Sequence, residues 1–176
     1  MKVGVHVALA AALVGAAGLT ACSGGAADSG GASQGWTKVT IGQLTLERPA
    51  AWSEADPSGE TWDKRFVGEG VEMQVSGEFS EDPTASAALS RLDLPAMTGL
   101  EGYDGGGAKK VEVEGADTAI RSDFTYTDGG PRKGVWLIVG QYPHPRTSAV
   151  SITGEKLDEA TVAHIVDSMT WEKKSS

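Results

Sequence analysis

The chain has 176 residues, 40% of them hydrophobic and 22% charged, enough for one ordinary domain plus a leader, too short for two typical domains, and too apolar for a permanently disordered polypeptide. Its net charge of -9 comes from 24 acidic and 15 basic residues, and the basic ones are scattered, no run of them exceeding two, as at Lys109-Lys110 and Lys173-Lys174. That distribution argues against nucleic acid as a partner, which needs clustered cations, and against charge-driven contact with anionic headgroups.

The single cysteine, Cys22, rules out an intramolecular disulfide and any cysteine-based metal knot. Its position is informative instead. Lys2 supplies the positive start, an apolar stretch rich in Ala and Gly runs from Val3 to Leu19, and Leu19-Thr20-Ala21-Cys22 follows. The stretch is short for a membrane-spanning helix, which takes about 20 apolar residues. These four residues resemble, position by position, the lipobox of bacterial lipoprotein signals. The resemblance implies that residues 1–21 are a signal peptide removed on export. Cys22 then takes an S-diacylglycerol with palmitate-type chains, and its freed amino group is open to N-acylation. Two acyl chains, at about 0.8 kcal/mol per buried methylene, meet the requirement for stable anchoring at the outer face of a membrane.

Residues 22–35 carry no large apolar side chain beyond the anchor and no periodicity, so they are expected to form a flexible Gly/Ser tether with a span of about 20 Å. Folded structure is expected over 36–171, with 172–176 a polar tail. Val39, Ile41, Leu44 and Leu46 around Gly42-Gln43 predict a hairpin closing at Pro49. Trp62 to Val67 and Val71 to Phe79 predict two further strands, the second alternating apolar and polar over its whole length. A helix is predicted from Thr84 to Leu92, stopping before Pro95.

Beyond a Gly-rich loop at Gly102 to Gly107, strands are predicted at Lys109 to Glu114, Ala119 to Thr127, Gly134 to Gln141 and Ser148 to Thr153, joined by turn-prone residues. Gly134 to Gly140 is apolar on both faces and belongs in the sheet's interior. Asp158 to Met169 has Val162, Ile165, Val166 and Met169 at helical spacing behind the N-cap Asp158, and Trp171 is placed to close an edge of the core. The pattern gives an α+β fold: one antiparallel sheet with two helices packed on it.

The order of strand pair, Pro49-x-x-Trp52, strands, helix, hairpin run and closing helix ending Ser168-Met169-Thr170-Trp171 resembles the Mog1/PsbP-like fold and, more closely, actinobacterial LpqN-type lipoproteins. The resemblance covers roughly 36–171. It implies a surface lipoprotein with a binding or accessory role and no catalytic residue to carry over.

The residues themselves point the same way. His144, in Tyr142-Pro143-His144-Pro145, and His164, on the closing helix, are expected to be solvent-exposed, and a Ser-His-Asp constellation would require one of them to meet a serine on a sharp turn. There is no His-Glu-x-x-His and no calcium-type loop; Glu78, Glu81 and Asp82 read as a solvated strand end and helix cap. Gly102 to Gly107 lacks the following Lys-Ser or Lys-Thr of a phosphate cradle. No catalytic residue, cofactor or metal is assigned. Trp52 and Tyr142 are the aromatics expected to reach solvent as binding anchors. The reading is a non-enzymatic binding or accessory module at the cell envelope whose partner is a protein, a lipid or a cell-wall component. The alternative is an envelope enzyme or a small-molecule or lipid binder with an unrecognised site.

Overall fold

The computed structural model describes residues 35–142 and 146–173. The expected signal peptide, Cys22, nearly all of the expected tether, His144 and the end of the expected polar tail lie outside the described residues. Twelve elements follow in order: β1 (Trp36–Ile41), β2 (Leu44–Pro49), β3 (Ser53–Ala55), β4 (Lys64–Gly68), β5 (Val71–Ser80), α1 (Ala85–Gly99), β6 (Asp104–Lys110), β7 (Thr118–Thr127), β8 (Pro131–Gln141), β9 (Arg146–Gly154), α2 (Glu159–Asp167) and β10 (Thr170–Trp171).

The fold is α+β with antiparallel pairing throughout its ladders, but the strands form two sheets where one was expected. The larger runs β3-β4-β5-β9-β8-β7-β6 and the smaller β1-β2-β10. The separation has a local cause. The predicted hairpin forms, with Ile41 paired to Leu44 across Gly42-Gln43, and its edge pairs with Thr170 and Trp171 arriving from the chain's other end. Its tip is laid on the larger sheet. Gly42 (φ +61°) faces Gly77, and a Cβ on either would come within about 3.0 Å of the other's backbone, so side chains are excluded from both.

Three layers result. One face of the large sheet buries Val71, Met73, Val75, Val135, Leu137, Val139, Val150 and Ile152 against Leu44 and Leu46 of β2 and Val162 and Ile165 of α2. The opposite face packs Ile120, Ile138 and Ala149 beneath Ala85 and Ala88 of α1, and Phe124 and Trp136 beneath Ala96. The expected two-sided burial of β8 is therefore seen directly. Each fully buried Leu or Ile contributes about 1.5–3 kcal/mol, so β8 and β9 carry much of the stability.

Several boundaries differ from expectation for physical reasons. Helix α1 runs through Pro95 to Gly99, because a proline costs a helix one N–H bond, here to the Arg91 carbonyl on an exposed turn, while Ala96 beyond it is drawn into the core. Thr84, and not Asp82, caps it, its hydroxyl accepting from Ala87 N at 3.1 Å. The Gly102 to Gly107 segment is no loop from Asp104 onward. It forms most of β6, an edge strand paired to β7 with a register shift between Gly105 and Ala108, and β6 ends at Lys110 where a strand to Glu114 was expected. In β5 the alternation holds only to Ser76. A shift between Ser76 and Ser80 turns Phe79 to the α1 face. A short strand, β3, lies between the hairpin and β4, where no strand was predicted. Among the described residues no helix is long and apolar enough to cross a membrane.

Candidate functional site

The aromatic expected to be an anchor at Trp52 is buried, 3% exposed. Pro49-x-x-Trp52 is a tight turn: Trp52 N donates to Pro49 O at 3.1 Å, which folds the indole back onto the core. Arg48 fixes it there, donating to Trp52 O at 2.6 Å while its guanidinium lies 4.5 Å over the Phe66 ring. The indole edge fills the space above Gly68, where a Cβ would approach Trp52 Cδ1 to 2.4 Å. Tyr142 is 65% exposed, as expected.

His164 is not a free surface histidine. Its ring stacks on Trp36 at 3.6 Å between centroids and Nε2 is 2.8 Å from Glu47 Oε2, while Glu47 N donates to Ser168 Oγ at 2.8 Å. These contacts dock the end of α2 on β1 and β2, a structural role. Two of the carboxylates at Glu78 to Asp82 are matched by arginines: Glu78 pairs with Arg146 and Asp82 with Arg91 at 2.5 Å. Hydrogen bonds from Arg91 and, to a lesser extent, Ser80 hold the Asp82 carboxyl below its ordinary value. Among the described residues no group of three or more His, Cys, Asp or Glu side chains is placed to hold a metal ion.

A cavity of about 300 Å³ opens instead between β6, β7, β8 and the start of α2. Cross-strand register builds it, since directly paired residues project to the same face. Asp104 pairs with Thr125, which pairs with Lys133; Asp123 pairs with Val135; Lys109 pairs with Arg121, which pairs with Leu137. The wet face of β7 thus presents Arg121, Asp123 and Thr125 in a row, and the Leu157-Asp158-Glu159 segment with Val162 covers it. Val135, Leu157 and Val162 make the apolar part of the lining. On the reverse side of the sheet the Phe124 ring lies over Gly134, where a Cβ would meet it at 2.1 Å.

Arg121 is the cavity's charged centre, with a side chain only 16% exposed. Its Nε and Nη2 donate to Asp123 Oδ1 at 2.9 and 2.6 Å. Nη1 and Nη2 form a two-pronged contact with Glu159, each at 2.7 Å. The Glu159 hydrogen bonds raise the Arg121 pKa further, and the guanidinium in turn holds the Glu159 carboxyl below its ordinary value. Asp158 is committed to the helix: its carboxylate accepts from Thr161 N at 2.9 Å and Thr161 Oγ1 at 2.7 Å, which keeps its pKa low. The cavity therefore combines an apolar floor, a fixed guanidinium and several carboxylates, a lining suited to binding an amphipathic small molecule.

No family model and no curated protein sequence matches the chain. Solved structures do. A crystal structure from Bacteroides thetaiotaomicron aligns over 81% of this chain with a TM-score of 0.54 at 15% identity, and the chain spans 50% of that protein's length. The Saccharomyces cerevisiae Ran-binding protein Mog1p aligns over 77% of this chain and 95% of its own length, with a TM-score of 0.51 at 10% identity. The fold is Mog1/PsbP-like. At these identities the likeness extends to architecture, and the Mog1/PsbP-like domain here must be understood from its own side chains.

Arg121, Asp123 and Glu159 were not singled out from the sequence. The signal in the Mog1/PsbP-like domain was the alternation of Ala119, Arg121, Asp123 and Thr125 on one face of β7. Such a stripe is that of an ordinary solvent face; that α2 arches over it is a tertiary fact.

Proposed function

We propose that the chain is an exported lipoprotein of the actinobacterial LpqN type, acylated at Cys22, whose Mog1/PsbP-like domain acts as a non-enzymatic binding module at the outer face of the cell membrane. The observation that carries the binding role is the cavity beside Arg121: a concave site with an apolar floor in which Arg121 is held by Asp123 and Glu159 in ion pairs. That arrangement orients and holds a ligand. The yeast protein of this fold is described as Ran-binding, which supports a binding use of the scaffold. A lipid anchor and a tether would keep such a site near the membrane, where local concentration raises the occupancy of a modest-affinity ligand.

The anchoring half is tested by replacing Cys22 with Ser and weighing the intact protein from the membrane fraction. Loss of the diacylglycerol mass and of salt-resistant membrane association is expected; a variant that keeps both overturns the reading. The binding half is tested by following the Val135, Leu157 and Val162 methyl resonances during titration with small amphipathic solutes, and their shifting is the expected result.

A further inference from the structure

We propose that the cavity selects a small organic carboxylate with a compact apolar body, the ligand's anion taking on Arg121 the place that Glu159 holds in this structure. The inference rests on the cavity being the binding site of the module, and names its ligand class.

Glu159 meets Arg121 as a ligand carboxylate would, two oxygens against two guanidinium nitrogens at 2.7 Å each, the planar fork-to-fork geometry that makes arginine selective for carboxylates. The two partners are unequally held. Arg121 is 16% exposed and braced from its other edge by Asp123, whereas the Glu159 side chain is 73% exposed, in the first turn of α2. An ion pair with so exposed a partner is weak, so Glu159 can turn to solvent while the guanidinium stays in position.

The charges left behind are balanced. Arg121, Lys109 and Lys133 face Asp104, Asp123 and Asp158, and of these Asp123 is bound to Arg121 and Asp158 to Thr161. The incoming anion replaces one carboxylate with another and adds no new repulsion at the guanidinium. Its apolar body lies on Val135, Leu157 and Val162, which line the cavity. A volume of about 300 Å³ sits at the low end for small-ligand sites, which favours a single ring or a short chain. Glu159 then acts as a built-in competitor that sets the affinity.

The test uses the full mature chain in detergent, with labelled Val and Leu methyls, titrated with 3-phenylpropionate, 3-phenylpropanol and 3-phenylpropylammonium. The carboxylate should shift the Val135, Leu157 and Val162 methyls, the alcohol should bind about tenfold more weakly, and the ammonium should bind no better than the alcohol. Glu159→Ala should tighten carboxylate binding about threefold to fivefold by removing the competitor. Arg121→Gln should abolish it, and Arg121→Lys, which keeps the charge without the fork and serves if the Gln variant fails to fold, should lose most of it. Thr125→Trp should block the mouth for every probe. Equal or better binding of the ammonium or alcohol, or an unchanged affinity in Glu159→Ala, overturns the carboxylate inference and leaves the binding module standing. If none of the three probes moves those methyls in the wild type or in Glu159→Ala, the cavity is no binding site and both readings fall.

Discussion

Single positions show how closely backbone conformation and side-chain space are matched here. Glu69 has φ +56° and Gly70 φ +78°, joining Gly68 to its partner Val71; a two-residue hairpin turn with both central residues left-handed favours Asn-Gly. A glutamate there carries strain that asparagine largely avoids. Glu69→Asn should therefore stabilise the domain by about 0.5–1 kcal/mol, measured as a higher urea midpoint with an unchanged slope; an unchanged midpoint would show that the turn is unstrained. Gly134 makes the opposite case. Its conformation is ordinary, but a methyl there would overlap the Phe124 ring, so Gly134→Ala should cost about 1–3 kcal/mol as overpacking. Truncating the ring in Gly134→Ala/Phe124→Leu should recover part of that loss, a non-additivity expected only if the two groups compete for one space.

At the level of elements, α2 is held at both ends by identified contacts and in the middle by apolar burial. Ile165 is fully buried, so Ile165→Asp, which places an unpartnered carboxylate against β2 and the large sheet, should cost more than about 3 kcal/mol. A melting temperature within a degree or so of wild type would mean that the helix is not docked. The start of the helix gives a pH dependence. The Asp158 and Glu159 pKa values are both lowered in the folded domain, by Thr161 and by Arg121 respectively. A depressed carboxyl contributes stability that is present above its unfolded pKa and lost as pH falls through the folded one. Stability should accordingly drop on acidification through and below the ordinary carboxylate range, and Arg121→Gln should move the Glu159 carbon-detected titration midpoint back up toward that of a model peptide. A midpoint that ignores Arg121 would contradict the ion pair. In α1, Pro95→Ala should raise stability by about 1–2 kcal/mol, since it restores an N–H to the Arg91 carbonyl on an exposed turn without touching the buried alanines; a lower urea midpoint in that variant would count against a continuous α1.

For the molecule as a whole, the order β3-β4-β5-β9-β8-β7-β6 places β9 and β8 inside the sheet and β6 at its edge. Amide exchange should be slowest in Trp136 to Val139 and Ala149 to Ile152, whose neighbours bond on both sides and whose side chains are buried above and below, and fast along β6, whose residues are all exposed. Comparable protection in β6 and β8 would require β6 to be covered by something beyond this domain. The register shift at Gly105 to Ala108 and the basic end Lys109-Lys110 suit an edge that resists pairing with other chains.

What the sequence by itself determined was what depends on neighbours along the chain. The two-sided apolar run of β8, the helical spacing of Val162 and Ile165, the Asp158 cap and the Gly42-Gln43 turn are local signals, and each element formed where its signal lay. What only the tertiary structure decided was what depends on residues brought together across long stretches of chain. The hairpin's departure into a second sheet required Thr170 and Trp171 to meet β2. The burial of Trp52 required Gly68 beneath it and Arg48 beside it, and the capture of His164 required Trp36 and Glu47. The cavity depended on Glu159 closing over Arg121 from 38 positions away. A strand's polar stripe has the same spacing whether water or a helix covers it, and the difference is made by packing, which periodicity along one chain segment does not encode.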